Sequence, residues 1–260
     1  MFADVNGIKL SYSDTGEGYP VFMIPGFAAD RRFWKDMIGE LKGFRCISVD
    51  NRGVGNTEYE GKFRIEDLAD DIISLADALG IRRFNIIGWS MGTHVAERIC
   101  ADHPEMVNRC VLVSSYLRRP SRVYYFLKSF TALMEQGKVS DEGFCILMNS
   151  FCFTEDEFRK MEENGNMPSH SMDFDTDGLK KQIDAVNNYD PYPAIEKIEA
   201  PVMIIHGSED DMVPLYHAEE LSARLKDSEL IIMEGAGHRI CPALYGDLVR
   251  EFFSRRFGQF

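Results

Sequence analysis

A rhythm constrains this chain more than any single motif does. Short apolar runs recur along it, and most are followed by a segment patterned for a helix. "PVFMI" (20–24), "FRCISV" (44–49), "FNIIGW" (84–89) and "RCVLVS" (109–114) are continuous apolar stretches, and "PVMIIH" (201–206) and "ELIIME" (229–234) repeat that character later. A strand reads this way when helices cover both faces of a parallel sheet. "GIKLSYSD" (7–14) alternates instead, as an exposed strand does. In "RIEDLADDIISLADALG" (64–80), Ile65, Leu68, Ala69, Ile72, Leu75, Ala76 and Leu79 fall on one helical face, and Gly80 closes the helix. Residues 90–103 and 215–225 read as helices too. Strand, helix, strand in this order predicts an α/β fold with a mostly parallel central sheet flanked by crossover helices.

The rhythm stops between residues 117 and 193, where the pattern stays helical and is rich in Phe, Tyr and Met. Phe126, Phe130, Met134, Phe144, Met148, Phe151, Phe153 and Phe158 stand out there. The expectation is a core domain made of 1–116 and 194–260, with 117–193 inserted as a helical cap over one edge of the sheet. Most of those aromatics are expected to fill the cap's own interior. Trp89, Tyr116, Phe126, Phe130 and Phe151 are the candidates for a substrate pocket beneath it.

Composition narrows the partners. With 260 residues and 45% hydrophobic content the chain can bury a substantial core. Its formal charge of −13 argues against nucleic acid or an anionic membrane as the partner. The opening "MFADVNGIKLSYSD" lacks the basic and apolar regions of a signal peptide, and no apolar segment approaches the roughly 20 residues that span a bilayer. Cysteines 46, 100, 110, 145, 152 and 241 are scattered, without a metal-like or CxxC spacing. Most read as small buried hydrophobes, and a reducing cytoplasm is the expected location.

Chemistry enters at "NIIGWSMGTH" (85–94), where Gly88-Trp89-Ser90-Met91-Gly92 joins a strand to a helix. Two glycines let strand and helix approach while Ser90 takes a strained turn that exposes its Oγ. Serine is a weak nucleophile, so it needs a general base, an orienting acid and an oxyanion site. His238 is the candidate base, because it sits in the Gly-rich turn "MEGAGH" after the last strand-like run. The loop in "IIHGSEDDMVP" (204–214) offers Glu209, Asp210 and Asp211 as the acid. The other histidines read differently. His94 packs within the domain, His206 ends a buried strand and His217 lies on a surface helix. His103 precedes a proline at a helix end, and His170 in the cap carries no signal.

With serine, acid and histidine in this order, the chain resembles the α/β-hydrolase superfamily over essentially its whole length. The family's acid motif matches Gly207, Asp210, Val213 and Pro214, which favours Asp210 over its neighbours. "DNRGVGNT" (50–57) looks like the family's Asp-x-Arg-Gly-x-Gly turn, with Asp50 and Arg52 architectural. "IPGFAADRRFW" (24–34) corresponds to the loop that carries one oxyanion donor. The resemblance assigns that role to the backbone N–H of Phe27, and the second donor to that of Met91. Pro25 departs from the pattern, since many relatives have His there. The donors survive the change, but a bracing side chain is lost. Trp34 is expected beneath the loop.

The resemblance implies a serine hydrolase working through an acyl-enzyme, with no metal and no organic cofactor. The framework resembles the small cytosolic carboxylesterases and enol-lactonases more than the meta-cleavage C–C hydrolases. Many meta-cleavage C–C hydrolases place Asn where Trp89 stands, and dehalogenases and epoxide hydrolases use Asp in place of Ser90. The partner implied is a small-molecule ester or lactone with an apolar acyl group. Thioesterase, perhydrolase, acyltransferase and C–C hydrolase activities share the triad, and a ligand receptor with little turnover is the reading from another class. Arg118, Arg119, Arg122 and Lys128 form a basic run that reads either as a solvated helix face or as a dock for an anionic substrate or acyl carrier protein.

Overall fold

The apolar runs become strands of one sheet. The computed structural model describes residues 1–138, 140–165, 167 and 176–255. Its eight strands are β1 (Phe2–Val5), β2 (Ile8–Thr15), β3 (Tyr19–Ile24), β4 (Phe44–Val49), β5 (Phe84–Trp89), β6 (Val107–Val113), β7 (Val202–Gly207) and β8 (Ser228–Met233). Their spatial order is β1-β2-β4-β3-β5-β6-β7-β8. β1 and β2 pair antiparallel with each other and β2 pairs antiparallel with β4, while every later pairing is parallel. The C-terminal ends of β3 and β5 to β8 therefore point to one edge, the place where open parallel sheets gather ligand-binding loops.

The helices are α1 (Lys35–Glu40), α2 (Ile65–Ala78), α3 (Met91–Asp102), α4 (Ser121–Glu135), α5 (Asp141–Cys152), α6 (Glu155–Glu163), α7 (Thr176–Asn187), α8 (Tyr192–Ile195), α9 (Tyr216–Ser222) and α10 (Gly246–Ser254). Alternate side chains of each buried strand feed opposite faces of the sheet. Phe22, Ile47, Ile86 and Leu112 pack with α2 and α3, whereas Val21, Cys46, Ile87 and Val111 pack with α1 and α10. A third cluster joins α4, α5 and α7 to Ala28, Val54, Met212 and Val213 of the loops at the C-terminal edge.

Several expectations need correction. β1 was not foreseen, because four residues are too short to show a period. β8 is half-exposed rather than buried, since it lies at the sheet's edge with β7 as its neighbour. β2 is more buried at Leu10, Ser11 and Tyr12 than strict alternation implies, because the 50–57 turn covers it: Thr57 Oγ1 accepts from the Ser11 N–H at 3.0 Å. His217 is buried on α9, not at the surface. His170 lies outside the described residues. Among the described residues no helix is long and apolar enough to cross a membrane.

Candidate active site

Ser90 follows β5 directly and takes φ 51° and ψ −119°, a region that costs an L-residue strain. Close approach enforces it. A Cβ on Gly92 would stand 2.2 Å from the Ile24 carbonyl oxygen, so α3 can begin here only on glycine. Thr93 then holds the turn, its N–H and Oγ1 donating to the Ser90 carbonyl at 2.9 and 2.6 Å.

The loops after β7 and β8 bring the other two groups to this turn. The Ser90 hydroxyl lies 2.9 Å from His238 Nε2, and His238 Nδ1–H donates to Asp210 Oδ2 at 2.7 Å. Asp210 is fixed in turn, its Oδ1 accepting the N–H groups of Met212 and Val213 at 2.9 and 2.7 Å. Because Nδ1 carries the proton that faces a carboxylate, Nε2 is left to accept from the serine. His238 and Asp210 are buried while Ser90 is partly open. Glu209 and Asp211, the other acids of that loop, stay outside this relay, and Asp211 pairs with Arg122 at 3.3 Å.

The base loop has its own supports. The His238 carbonyl accepts from Trp89 Nε1 at 3.0 Å and from Ser114 Oγ at 2.8 Å. Trp89 therefore does more than line a pocket. His206, beneath the acid, donates from Nε2 to the Val213 carbonyl at 2.8 Å, which closes the acid loop. Burial pushes the His206 and His217 imidazoles below their ordinary value, so both favour the neutral form. His94 is buried with Nδ1 2.8 Å from Glu97 Oε2, and it takes no part in the relay.

The 24–34 loop is braced without the side chain that Pro25 replaces. Asn51 Nδ2 donates to the Pro25 carbonyl at 3.0 Å, and the Ala28 N–H donates to Gln182 Oε1 at 3.0 Å. The Phe27 N–H bonds to no described residue, and Met91 opens α3, where first-turn amides lack intrahelical acceptors. Asp50 and Arg52 are architectural as expected. Asp50 receives the Arg31 and Asn56 amides, and Arg52 pairs with Asp71 at 2.7 Å.

An apolar cavity opens onto Ser90 and His238. Phe27, Trp89, Met91, Tyr116 and Phe126 line it, as do Met148, Cys152, Met212 and Val213, which sequence reasoning missed. Phe130 and Phe151 do not. Phe130 is buried against Phe144, and Phe151 packs on Phe126 with ring centres 4.9 Å apart. Helical aromatics carry no sequence mark of which face meets a cavity. Burial pushes the Cys152 thiol up to about 12, so it remains a neutral wall rather than a rival nucleophile. Trp34 is buried edge-on to Phe33, in the cluster that packs with α1 and α10. The basic run is engaged internally: Arg118 with Glu220, Arg119 with Asn187 and the Tyr124 ring, Arg122 with Asp211, and Lys128 over Tyr124. Among the described residues no group of His, Cys, Asp and Glu is arranged to hold a metal.

Residues 19–242 match the model of the alpha/beta hydrolase fold family, and the chain belongs to that family. BpoC of Mycobacterium tuberculosis, which carries the provisional name non-heme bromoperoxidase, is 29% identical over 238 residues that cover 89% of this chain and 91% of BpoC. The pimeloyl-[acyl-carrier protein] methyl ester esterase of Neisseria meningitidis serogroup B is 27% identical, over 88% of this chain and 92% of the esterase. Among solved structures, the enol-lactonase of Burkholderia xenovorans has the same fold, with a TM-score of 0.83, 21% identity and 97% of each chain covered.

Proposed function

We propose that this protein is a serine hydrolase that cleaves a carboxylic ester or lactone with an apolar acyl group of small to medium size. The observation that carries this reading is an unbroken hydroxyl–imidazole–carboxylate relay opening onto an apolar cavity. Ser90 attacks the carbonyl while His238 Nε2 takes its proton, and Asp210 holds the imidazolium. General-base help of this kind contributes about 10²- to 10⁴-fold. The Phe27 and Met91 amides face the developing oxyanion, each contributing about 3 kcal/mol. His238 then protonates the departing alkoxide, and water attacks the acyl-enzyme along the same route. Ester and water become acid and alcohol, and Ser90 regains its proton. Helices within 117–193 act as the cap that shields these steps from bulk water.

A fluorophosphonate probe and a series of para-nitrophenyl esters graded by acyl length test this reading. The expected result is labelling of the wild type, none of Ser90→Ala, and turnover that falls as the acyl chain outgrows the cavity. Absence of both labelling and turnover above the Ser90→Ala level removes the reading. Labelling with a single turnover only favours a receptor of this fold. Thioester substrates in the same series separate ester from thioester preference.

A further inference from the structure

The serine-hydrolase reading leaves open what occupies the leaving-group side of the site, and the residue next to the base bears on it. Arg239 follows His238, and its N–H donates to the Cys152 carbonyl at 2.9 Å. Its guanidinium carbon lies 5.3 Å from the Phe33 ring centre and 5.8 Å from that of Phe153. Phe33 is stacked on Trp89, with ring centres 4.3 Å apart, and Phe153 adjoins Cys152 in the chain. Trp89 and Cys152 are walls of the cavity. The guanidinium is not itself a wall of the cavity; it lies one ring beyond those walls, in the residue next to His238, where a substrate longer than the cavity would reach it.

This cation is half-buried and has no carboxylate within ion-pairing distance among the described residues. Some other arginines differ: Arg118 meets Glu220 at 2.8 Å and Arg159 meets Asp156 at 2.6 Å. Glu157, at the same junction, has its Oε2 engaged by the amides of Thr154 and Gly237 at 2.7 and 3.3 Å. In a chain of net charge −13, acidic partners are abundant, yet none is placed here. Two rings flank the guanidinium, while its forked N–H donors remain without a protein acceptor among the described residues. Such a group is ordered in advance for a planar or tetrahedral anion.

We propose that Arg239 binds an anionic group on the alcohol half of the substrate. The preferred ester then joins an apolar acyl group to an alcohol or phenol that carries a carboxylate or phosphate. This rests on the serine-hydrolase reading, and the chemistry of that reaction fixes the orientation. The leaving oxygen takes its proton from His238 Nε2, so the alcohol half lies against His238 when the C–O bond breaks. The acyl half enters the cavity, whose lining contains no Lys or Arg among the described residues.

Three esters sharing one acyl group test it: para-butyryloxybenzoate, para-butyryloxyphenyl phosphate and the neutral para-butyryloxybenzamide. Comparing variants by the ratio of anionic to neutral kcat/KM cancels the different leaving abilities of the phenols. Arg239→Gln is expected to lower that ratio about tenfold, chiefly through KM, because it removes one charge-assisted hydrogen bond to the anion. Arg239→Lys, with the charge but not the fork, is expected to fall between. The benzoate and phosphate arms show which anion fits. Active-site concentration from fluorophosphonate labelling corrects each preparation for misfolded protein. A ratio unchanged in both variants overturns the inference while leaving the hydrolase reading intact. Absence of labelling and of turnover for all three esters removes that reading, and this inference with it.

Discussion

At the scale of single residues, the site depends on which acid faces the imidazole. Asp210 accepts His238 Nδ1–H with one oxygen and two loop amides with the other. Asparagine in its place still accepts the amides through Oδ1, but its Nδ2–H₂ confronts Nδ1. The imidazole then carries its proton on Nε2 and cannot accept from Ser90. Asp210→Asn is therefore expected to lower kcat by about 10³- to 10⁴-fold with little change in thermal stability. Asp211→Asn, at an exposed residue, serves as the matched control. Ser90, Asp210 and His238 were legible in the sequence because each follows a strand within a recognisable turn. Asn51 and Gln182 were not, because an isolated amide has no period and its burial is set by distant segments.

At the scale of elements, the least legible feature is how the helical block meets the loop that holds Phe27. α7 makes the junction. A Cβ on Gly178 would lie 2.4 Å from the Gly53 carbonyl oxygen, so glycine alone permits this backbone contact. One turn on, the fully buried Gln182 accepts from the Ala28 N–H at 3.0 Å and donates to the Arg52 carbonyl at 2.8 Å. One side chain thus ties α7 to both the 24–34 loop and the 50–57 turn. Gln182→Leu leaves those two backbone groups unpaired, with an expected loss of about 1–3 kcal/mol in urea unfolding. Since Ala28 adjoins Phe27, kcat for any turned-over ester is expected to fall along with stability. A variant that loses stability but keeps kcat separates the two effects. The strands and α2 were readable because their periods are long, whereas this junction depends on two lone residues.

At the scale of the whole molecule, charge and burial act in the same pH range. The chain carries −13 at neutral pH, so mild acid relieves its self-repulsion and on that ground alone stabilises the fold. Two buried histidines act against this. His206 and His217 both have an ordinary value of 6.5 and are pushed below it, chiefly by burial, although Asp210 pulls His206 and Glu220 pulls His217 the other way. The unfolded chain therefore takes up these protons before the folded chain does. Their contribution is fully present above about pH 6.5 and is lost as pH falls toward the folded-state values. The ring nitrogens of His217 hydrogen-bond to no described residue, so an apolar side chain of similar size removes an unfavourable burial. His217→Leu is expected to be neutral to stabilising by about 1 kcal/mol at pH 7. It is also expected to flatten the fall of Tm between pH 6.5 and pH 5, as melts in one buffer series at constant ionic strength will show. A variant whose Tm falls as steeply as the wild type's means that the acid sensitivity comes from other groups, with His206 the next to replace.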